Sequence, residues 1–391
     1  MSPRNPALAA RNLGRKVARR AWALRRPAVH GLARVSRLRE QFGFRTHEFQ
    51  VEREIAAAAR GDALIVAGPW LAEVGYEALY WIPFLRWFED VYRVPPERVI
   101  AISRGGVGAW YAGVAGRYLD LFEVFTPEQF AERNAARRAA DEAGGQKQSA
   151  RGAFDTEILD RLRERIGLGT GGAMGGSRLN VFHPGLLFRL FKQFWLGNQS
   201  QDFLWQHMRF ATIPPPARPA LPLPADYIAV KFYAGVAMPP TEANRRAVRS
   251  LVSRLAASHP VVVLDSGIQV DEHEDYRFEG MPNVVSLRND LPPVTNLQVQ
   301  TEVIAGARHF VGTCGSVAWL APLLGVPTLA VFADDRLLGT HLNVARHAYR
   351  EAGAARFTTL DLRSAQALHL LDSAGNGAGN GAGDDAGDGA V

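Results

Sequence analysis

Cysteine is almost missing: Cys314 is the single one in 391 residues. That excludes a disulfide scaffold and a cysteine-based zinc site, and it fits a reducing compartment. Long apolar runs are missing too. Crossing a bilayer takes roughly 18 uncharged apolar residues, and the longest candidate, Ala78 to Leu85, is far shorter. Acidic residues are absent from one region: residues 1–39 hold 11 Lys and Arg and no Asp or Glu. The whole chain has 45 Lys and Arg against 39 Asp and Glu, so the body beyond this arm is mildly acidic. A basic arm on an acidic body argues against a nucleic-acid-binding protein. At 47% hydrophobic and 21% charged residues the chain is ordinary globular material, long enough for two domains.

Within the arm (residues 1–47), Leu13, Val17, Ala21 and Leu24 share one helical face, with arginines around much of the rest. A basic amphipathic helix of this kind suits an anionic membrane surface. A solvated Arg-rich extension and an organellar transit peptide have the same composition. A secretory signal is not expected, because the arm has no continuous apolar core. At the other end, residues 373–391 are Gly, Ala, Asn and Asp, which bury nothing and read as a disordered tail.

Between the ends, six prolines from Pro214 to Pro224 mark residues 213–225 as an extended linker. It separates an N-terminal domain (48–212) from a C-terminal one (226–372). In the first, strands are expected at 63–67, 98–102 and 121–125. Helices are expected at 73–92, after the Gly105–Gly106 turn up to Tyr118, from Pro127 with Thr126 as its cap, and over 184–196. In the second, strands are expected at 227–232, 261–265, 283–287, 309–312 and 328–332. Helices are expected at 241–258, 297–307, 316–324 and 342–351. Alternation of this kind predicts two α/β, Rossmann-like doubly wound domains with a cleft between them, where ligands bind.

Two segments carry candidate chemistry. The apolar strand His309–Gly312 runs through small residues (Thr313, Gly315, Ser316) straight into a helix, a geometry that brings bare amides to a phosphate. After the first strand, Glu73 and Glu77 lie four apart on one helix start, where a carboxylate at the sheet edge can accept a proton. A helix N-terminus also tolerates carboxylates for purely electrostatic reasons. Gly75 between them leaves room for an acceptor. Lys231 ends the first strand of the second half. Arg104 follows the second strand and is a candidate for acceptor or phosphate contact. His183 is either a buried structural histidine or a third such contact. The acidic run Asp271–Asp275 is too compact for a metal cage and reads as a solvated loop, and no metal site is expected.

The stretch Asn296 to Asp334 resembles the donor-binding half of GT-B glycosyltransferases, of the heptosyltransferase-like and O-fucosyltransferase-like kinds. The resemblance implies that Gly312, Thr313, Gly315 and Ser316 contact the diphosphate of a nucleotide-sugar, with Lys231 adding charge. It also implies that an acidic residue six positions before a helical proline is the base, and Glu77 stands six before Pro83. Glu73 is the competitor. The expected activity is metal-independent transfer of a sugar from a nucleotide-diphosphate co-substrate to a glycan or lipid-linked acceptor hydroxyl. No other cofactor and no nucleic acid are expected. The expected location is cytoplasmic, or peripheral at an anionic membrane through residues 1–39, in surface polysaccharide or glycolipid assembly. Two other readings share the layout: a polysaccharide pyruvyl transferase, and a non-catalytic sugar- or nucleotide-binding module.

Overall fold

The computed structural model of the chain describes residues 46–140, 148–166, 180–265, 274–288 and 290–364. The basic residues 1–39, the Gly-rich stretch 167–176, residues 271–273 and the tail 373–391 lie outside the described residues. Residues 46–54 are helical and belong to a unit of their own, and from Ile55 onward the chain forms one compact unit. No described helix is long and apolar enough to cross a membrane.

The compact unit holds two parallel sheets. The first lobe contains β1 (Ile65–Ala67), β2 (Val99–Ser103), β3 (Arg117–Asp120) and β4 (Asn180–Phe182), in the order β3-β2-β1-β4. The second contains β5 (Ile228–Lys231), β7 (Val261–Val263), β9 (Val284–Ser286), β10 (His309–Thr313), β11 (Thr328–Phe332) and β12 (Phe357–Asp361). Its order is β12-β11-β10-β5-β7-β9. A two-residue antiparallel pair, β6 (Tyr233–Ala234) with β8 (Glu274–Asp275), closes over the end of β5. Strands such as Val261–Val263 are buried throughout, as parallel strands covered on both faces must be.

Six helices matter here. Helix α1 runs as Val74–Tyr76, a π turn Glu77–Trp81, and Ile82–Tyr92. The others are α2 (Pro127–Ala140), α3 (Glu242–Ala256), α4 (Asn296–Ala305), α5 (Val317–Leu320) and α6 (Gly339–Glu351). Both threonine caps form: Thr126 Oγ1 accepts from the Gln129 amide and Thr241 Oγ1 from the Asn244 amide. Each satisfies an amide the helix itself cannot.

Several expected elements differ. The third strand is Arg117–Asp120, not 121–125, because the Asp120 carboxylate takes the Phe122 amide and turns the chain into a 3-10 segment, Leu121–Glu123. The helix expected up to Tyr118 is only a 3-10 turn, Val107–Tyr111. The 184–196 helix is two short pieces, Gly185–Leu190 and Lys192–Trp195. Strands β4 and β12 have no counterpart among the expected elements. Residues 213–225 form neither helix nor strand.

The carboxyl ends of the two sheets face one another. Past β2, the Gly105 carbonyl accepts from the Gln298 amide of α4 at 2.8 Å. Nearby, Trp110 Nε1 donates to Thr301 Oγ1 at 3.0 Å. Past β1, Gly75 of α1 lies against Ser316 and Trp319. Tyr76 and Tyr80 of α1 grip both ring nitrogens of His341 on α6, at 2.9 and 2.6 Å.

Candidate active site

The loop after β1 is built to hold α1 in place. Its Gly68–Pro69 bond is cis, and the Gly68 amide donates to Phe182 O. Gly68 has φ 129°, and a Cβ there would sit 2.6 Å from Ile102 O, so only glycine fits. Arg104 is buried, and it spends its guanidinium on the carbonyls of Trp70 and Ala72 at 3.2 and 2.9 Å. Its ring neighbour is Phe130, 5.6 Å away. Arg104 is thus a strut of this loop whose charge also reaches Glu77.

His183 supports the loop from below. One ring nitrogen lies 2.9 Å from Asp155 Oδ1, and the other accepts from the Gly185 amide at 3.0 Å. Asp155 also binds Gln148, which takes the Leu71 amide and donates to Pro69 O. Both nitrogens of His183 are therefore engaged within the protein, and neither is left for an acceptor.

Glu73 and Glu77 occupy different environments. Glu73 precedes α1 with extended backbone, is half-buried, and makes no side-chain cap to the helix. Glu77 opens the π turn and is fully buried. The Ile82 amide reaches back five residues to Glu77 O, and the widened turn sits just before Pro83, which has no amide to donate. Tyr111 OH donates to Glu77 Oε1 at 2.6 Å, while Oε2 has no hydrogen-bond partner. Burial pushes the Glu77 carboxyl up to about 7, against the pull of the Arg104 charge and of the Ser103 and Tyr111 hydroxyls. The Ser103 hydroxyl acts on it without an aligned hydrogen bond. Asp120 lies beyond and adds a small upward push. An acid poised near neutrality with one free oxygen is chemically equipped to take a proton.

The small-residue turn of the second lobe is more tightly filled than its composition suggests. Gly312 sits inside the sheet, where a Cβ would come within 2.3 Å of Lys231 O. Thr313 is buried and exchanges hydrogen bonds with the Tyr233 backbone, at 3.0 and 3.2 Å. Cys314 is buried, its thiol pushed up to about 12. The place of a Gly315 Cβ is taken by Tyr233 OH, at 2.5 Å. Ser316 adopts φ 45°, ψ −128°, a backbone that L residues rarely accept. The amides of Gly315 and Ser316 have no acceptor among the described residues. Lys231 Nζ binds Leu264 O at 2.8 Å and Asp275 Oδ2 at 3.2 Å, so its charge is already half-committed.

The space beside Gly75, expected to admit an acceptor, is occupied by the second lobe. A Cβ there would lie 2.5 Å from Trp319 Cδ1 and 2.9 Å from the Ser316 amide nitrogen. The structure thus brings Gly75, Ser316 and Gly315 together, with Glu77 one helical step away on α1. It leaves His183 and Arg104 in supporting positions. Tyr111, Ser103 and Asp120 escape a reading of the sequence, since no spacing ties them to Glu77. Among the described residues no group of three His, Cys, Asp or Glu is arranged to hold a metal ion.

No family model matches the chain, and neither does any curated protein. Some solved structures overlap it loosely. The iron-containing dodecameric glycosyltransferase TibC from enterotoxigenic E. coli has a TM-score of 0.40 at 10% identity, covering 70% of this chain. The chain spans only 59% of the length of TibC. A family 9 glycosyl transferase from Veillonella parvula has a TM-score of 0.41 at 8% identity, covering 81% of this chain and 90% of its own. The E. coli heptosyltransferase WaaC with ADP has a TM-score of 0.31 at 15% identity, covering 79% and 99%. Overlaps of this extent decide nothing about the chemistry of this chain, which has to come from its own residues.

Proposed function

We propose that the chain is a glycosyltransferase that moves a sugar from a nucleotide-diphosphate donor to an acceptor hydroxyl, with Glu77 as general base. One observation carries the reading: a wholly buried carboxylate near neutral pKa keeps one oxygen free at the carboxyl end of the first sheet. Two residues earlier on the same helix, Gly75 meets the Ser316 amide of the second lobe. The closeness of Glu77, Gly75 and the Ser316 amide supports this reading.

In this mechanism the acceptor hydroxyl donates to Glu77 Oε2. As its oxygen bonds to the anomeric carbon, the proton passes to Oε2 and the bond to the donor phosphate oxygen breaks. The nucleoside diphosphate leaves with its charge met by the Gly315 and Ser316 amides and by Lys231 rather than by a metal ion. Of the four turn residues, Gly312 and Thr313 serve the sheet instead. Because Glu77 is fully shielded, the acceptor reaches Oε2 only after part of that cover moves. The Arg-rich residues 1–39 suit a lipid-linked acceptor at an anionic membrane.

The test starts from the donor. A thermal-shift screen against UDP-, GDP-, ADP- and dTDP-sugars should give a rise of several degrees with one of them. Transfer with that donor should persist in EDTA. Deletion of residues 1–39 should abolish sedimentation with anionic vesicles, and unchanged sedimentation would remove the membrane from the account. The filled space beside Gly75 and Gly315 favours a second reading, a non-catalytic module of the same layout. Donor binding without transfer or hydrolysis would select it.

A further inference from the structure

We propose that Tyr111 is a positioning residue for Glu77, and that the contact between α4 and residues 105–110 holds Tyr111 in its place. The proposal rests on the reading of Glu77 as base. Tyr111 is fully buried, and its hydroxyl donates to Oε1 at 2.6 Å. A carboxylate held through one oxygen keeps its orientation and offers the other oxygen to a substrate.

Tyr111 does not stand on a strand or a long helix. It ends the 3-10 turn Val107–Tyr111, a short element with little rigidity of its own. The second lobe pins that turn on both sides. At its start, Gly105 O accepts from the Gln298 amide at 2.8 Å. Gly106 has φ 79°, and a Cβ there would lie 2.8 Å from Gln298 Cβ, so glycine is needed for the approach. At its end, Trp110 Nε1 donates to Thr301 Oγ1 at 3.0 Å, and that hydroxyl donates on to Leu297 O. The first lobe adds one hold, the Gly106 amide donating to Asp120 Oδ2 at 2.7 Å, an oxygen shared with Tyr118 OH. The residue next to Trp110 is Tyr111 itself. Docking of α4 is thereby transmitted to the orientation of Glu77 across a single peptide step.

The titratable groups acting on Glu77 are Arg104 from the end of β2, Asp120 from the end of β3, and Tyr111 and Tyr118. Arg104 and the Tyr111 hydroxyl favour the carboxylate, and Asp120 opposes it. Loss of the Tyr111 donor must therefore move the Glu77 titration to higher pH.

The test is a ¹³C-carboxyl NMR titration of the full chain labelled at glutamate, with the Glu77 signal assigned through Glu77→Gln. The wild-type midpoint is expected near pH 7. Tyr111→Phe should raise it by on the order of one pH unit. Thr301→Val keeps the shape of the side chain but removes the acceptor for Trp110. It should shift the midpoint upward by a smaller amount, and add nothing in the Tyr111→Phe background. Trp110→Phe deletes the same bond from the other side and serves if Tyr111→Phe does not fold. An unmoved midpoint in Tyr111→Phe overturns the positioning role. An unmoved midpoint in both Thr301→Val and Trp110→Phe overturns the link to α4. No substrate is needed, so these outcomes stand apart from the transferase reading, which fails instead if Glu77→Gln transfers sugar at the wild-type rate.

Discussion

The two sheet edges that face each other treat their polar groups in opposite ways. In the second lobe, two side chains at the carboxyl edge are matched, Lys231 with Asp275 and Leu264 and Thr313 with Tyr233, while the Gly315 and Ser316 amides are left without an acceptor among the described residues. In the first lobe, Glu77 is buried with an oxygen left over, and the Ser103 hydroxyl beside it makes no hydrogen bond. A buried polar atom without a partner costs stability, and a role in chemistry is one reason for a fold to keep it. Glu77 also lies where regular helix gives way, in a π turn, and Ser103 is the last residue of β2. The first lobe carries the buried carboxyl, and Trp319 and Ser316 of the second lobe pack on its helix at Gly75.

The largest effect that sharpens this contrast is on stability. Burial holds the Glu77 carboxyl near 7 in the folded chain, against an ordinary 4.5. Between those values the folded chain keeps a proton that the unfolded chain has released, so stability falls as pH rises through this window. Above pH 7 the full cost is present, up to about 3 kcal/mol. Glu77→Gln should therefore be the more stable protein above pH 7, with the gap closing toward pH 4.5 in chemical denaturation. A mutant that is less stable at both ends would mean that the carboxylate is fully paired.

The packing at Gly75 and Gly315 can be broken next. Gly75→Ala puts a methyl group 2.5 Å from Trp319 Cδ1, and Gly315→Ala puts one 2.5 Å from Tyr233 OH. Each should cost about 1–3 kcal/mol. Wild-type melting of Gly75→Ala would show that the lobes do not touch there.

A somewhat smaller effect is expected at His183, whose two nitrogens serve Asp155 and the Gly185 amide. His183→Phe leaves the buried Asp155 short of a partner and should cost about 1–2 kcal/mol, with turnover per folded molecule close to wild type. A large loss of turnover at unchanged stability would return His183 to the reacting centre.

Much of this layout is legible in the order of residues. The apolar runs at 227–232, 261–265, 309–312 and 328–332 are buried strands, and Thr126 and Thr241 cap as their positions suggest. Three failures share a cause. The run Leu121–Phe125 has strand composition, yet Asp120 captures a backbone amide and starts a turn. Residues 107–118 are expected as a helix, yet Gly113 has φ 71° and the chain enters β3 at Arg117, so only a 3-10 turn forms. Strand β4 is three residues long, too short for any alternation to show. In each case a short-range feature (a capping carboxylate, a left-handed glycine, a three-residue strand) overrides what composition suggests. Tyr111 is invisible for a different reason: it reaches Glu77 across 34 positions of chain.

The most direct test is single-turnover sugar transfer by Glu77→Gln protein saturated with donor, at pH 8, beside wild type. The account predicts a rate lower by a factor on the order of a hundred or more, with donor affinity unchanged and the fold intact. Transfer at the wild-type rate would contradict it.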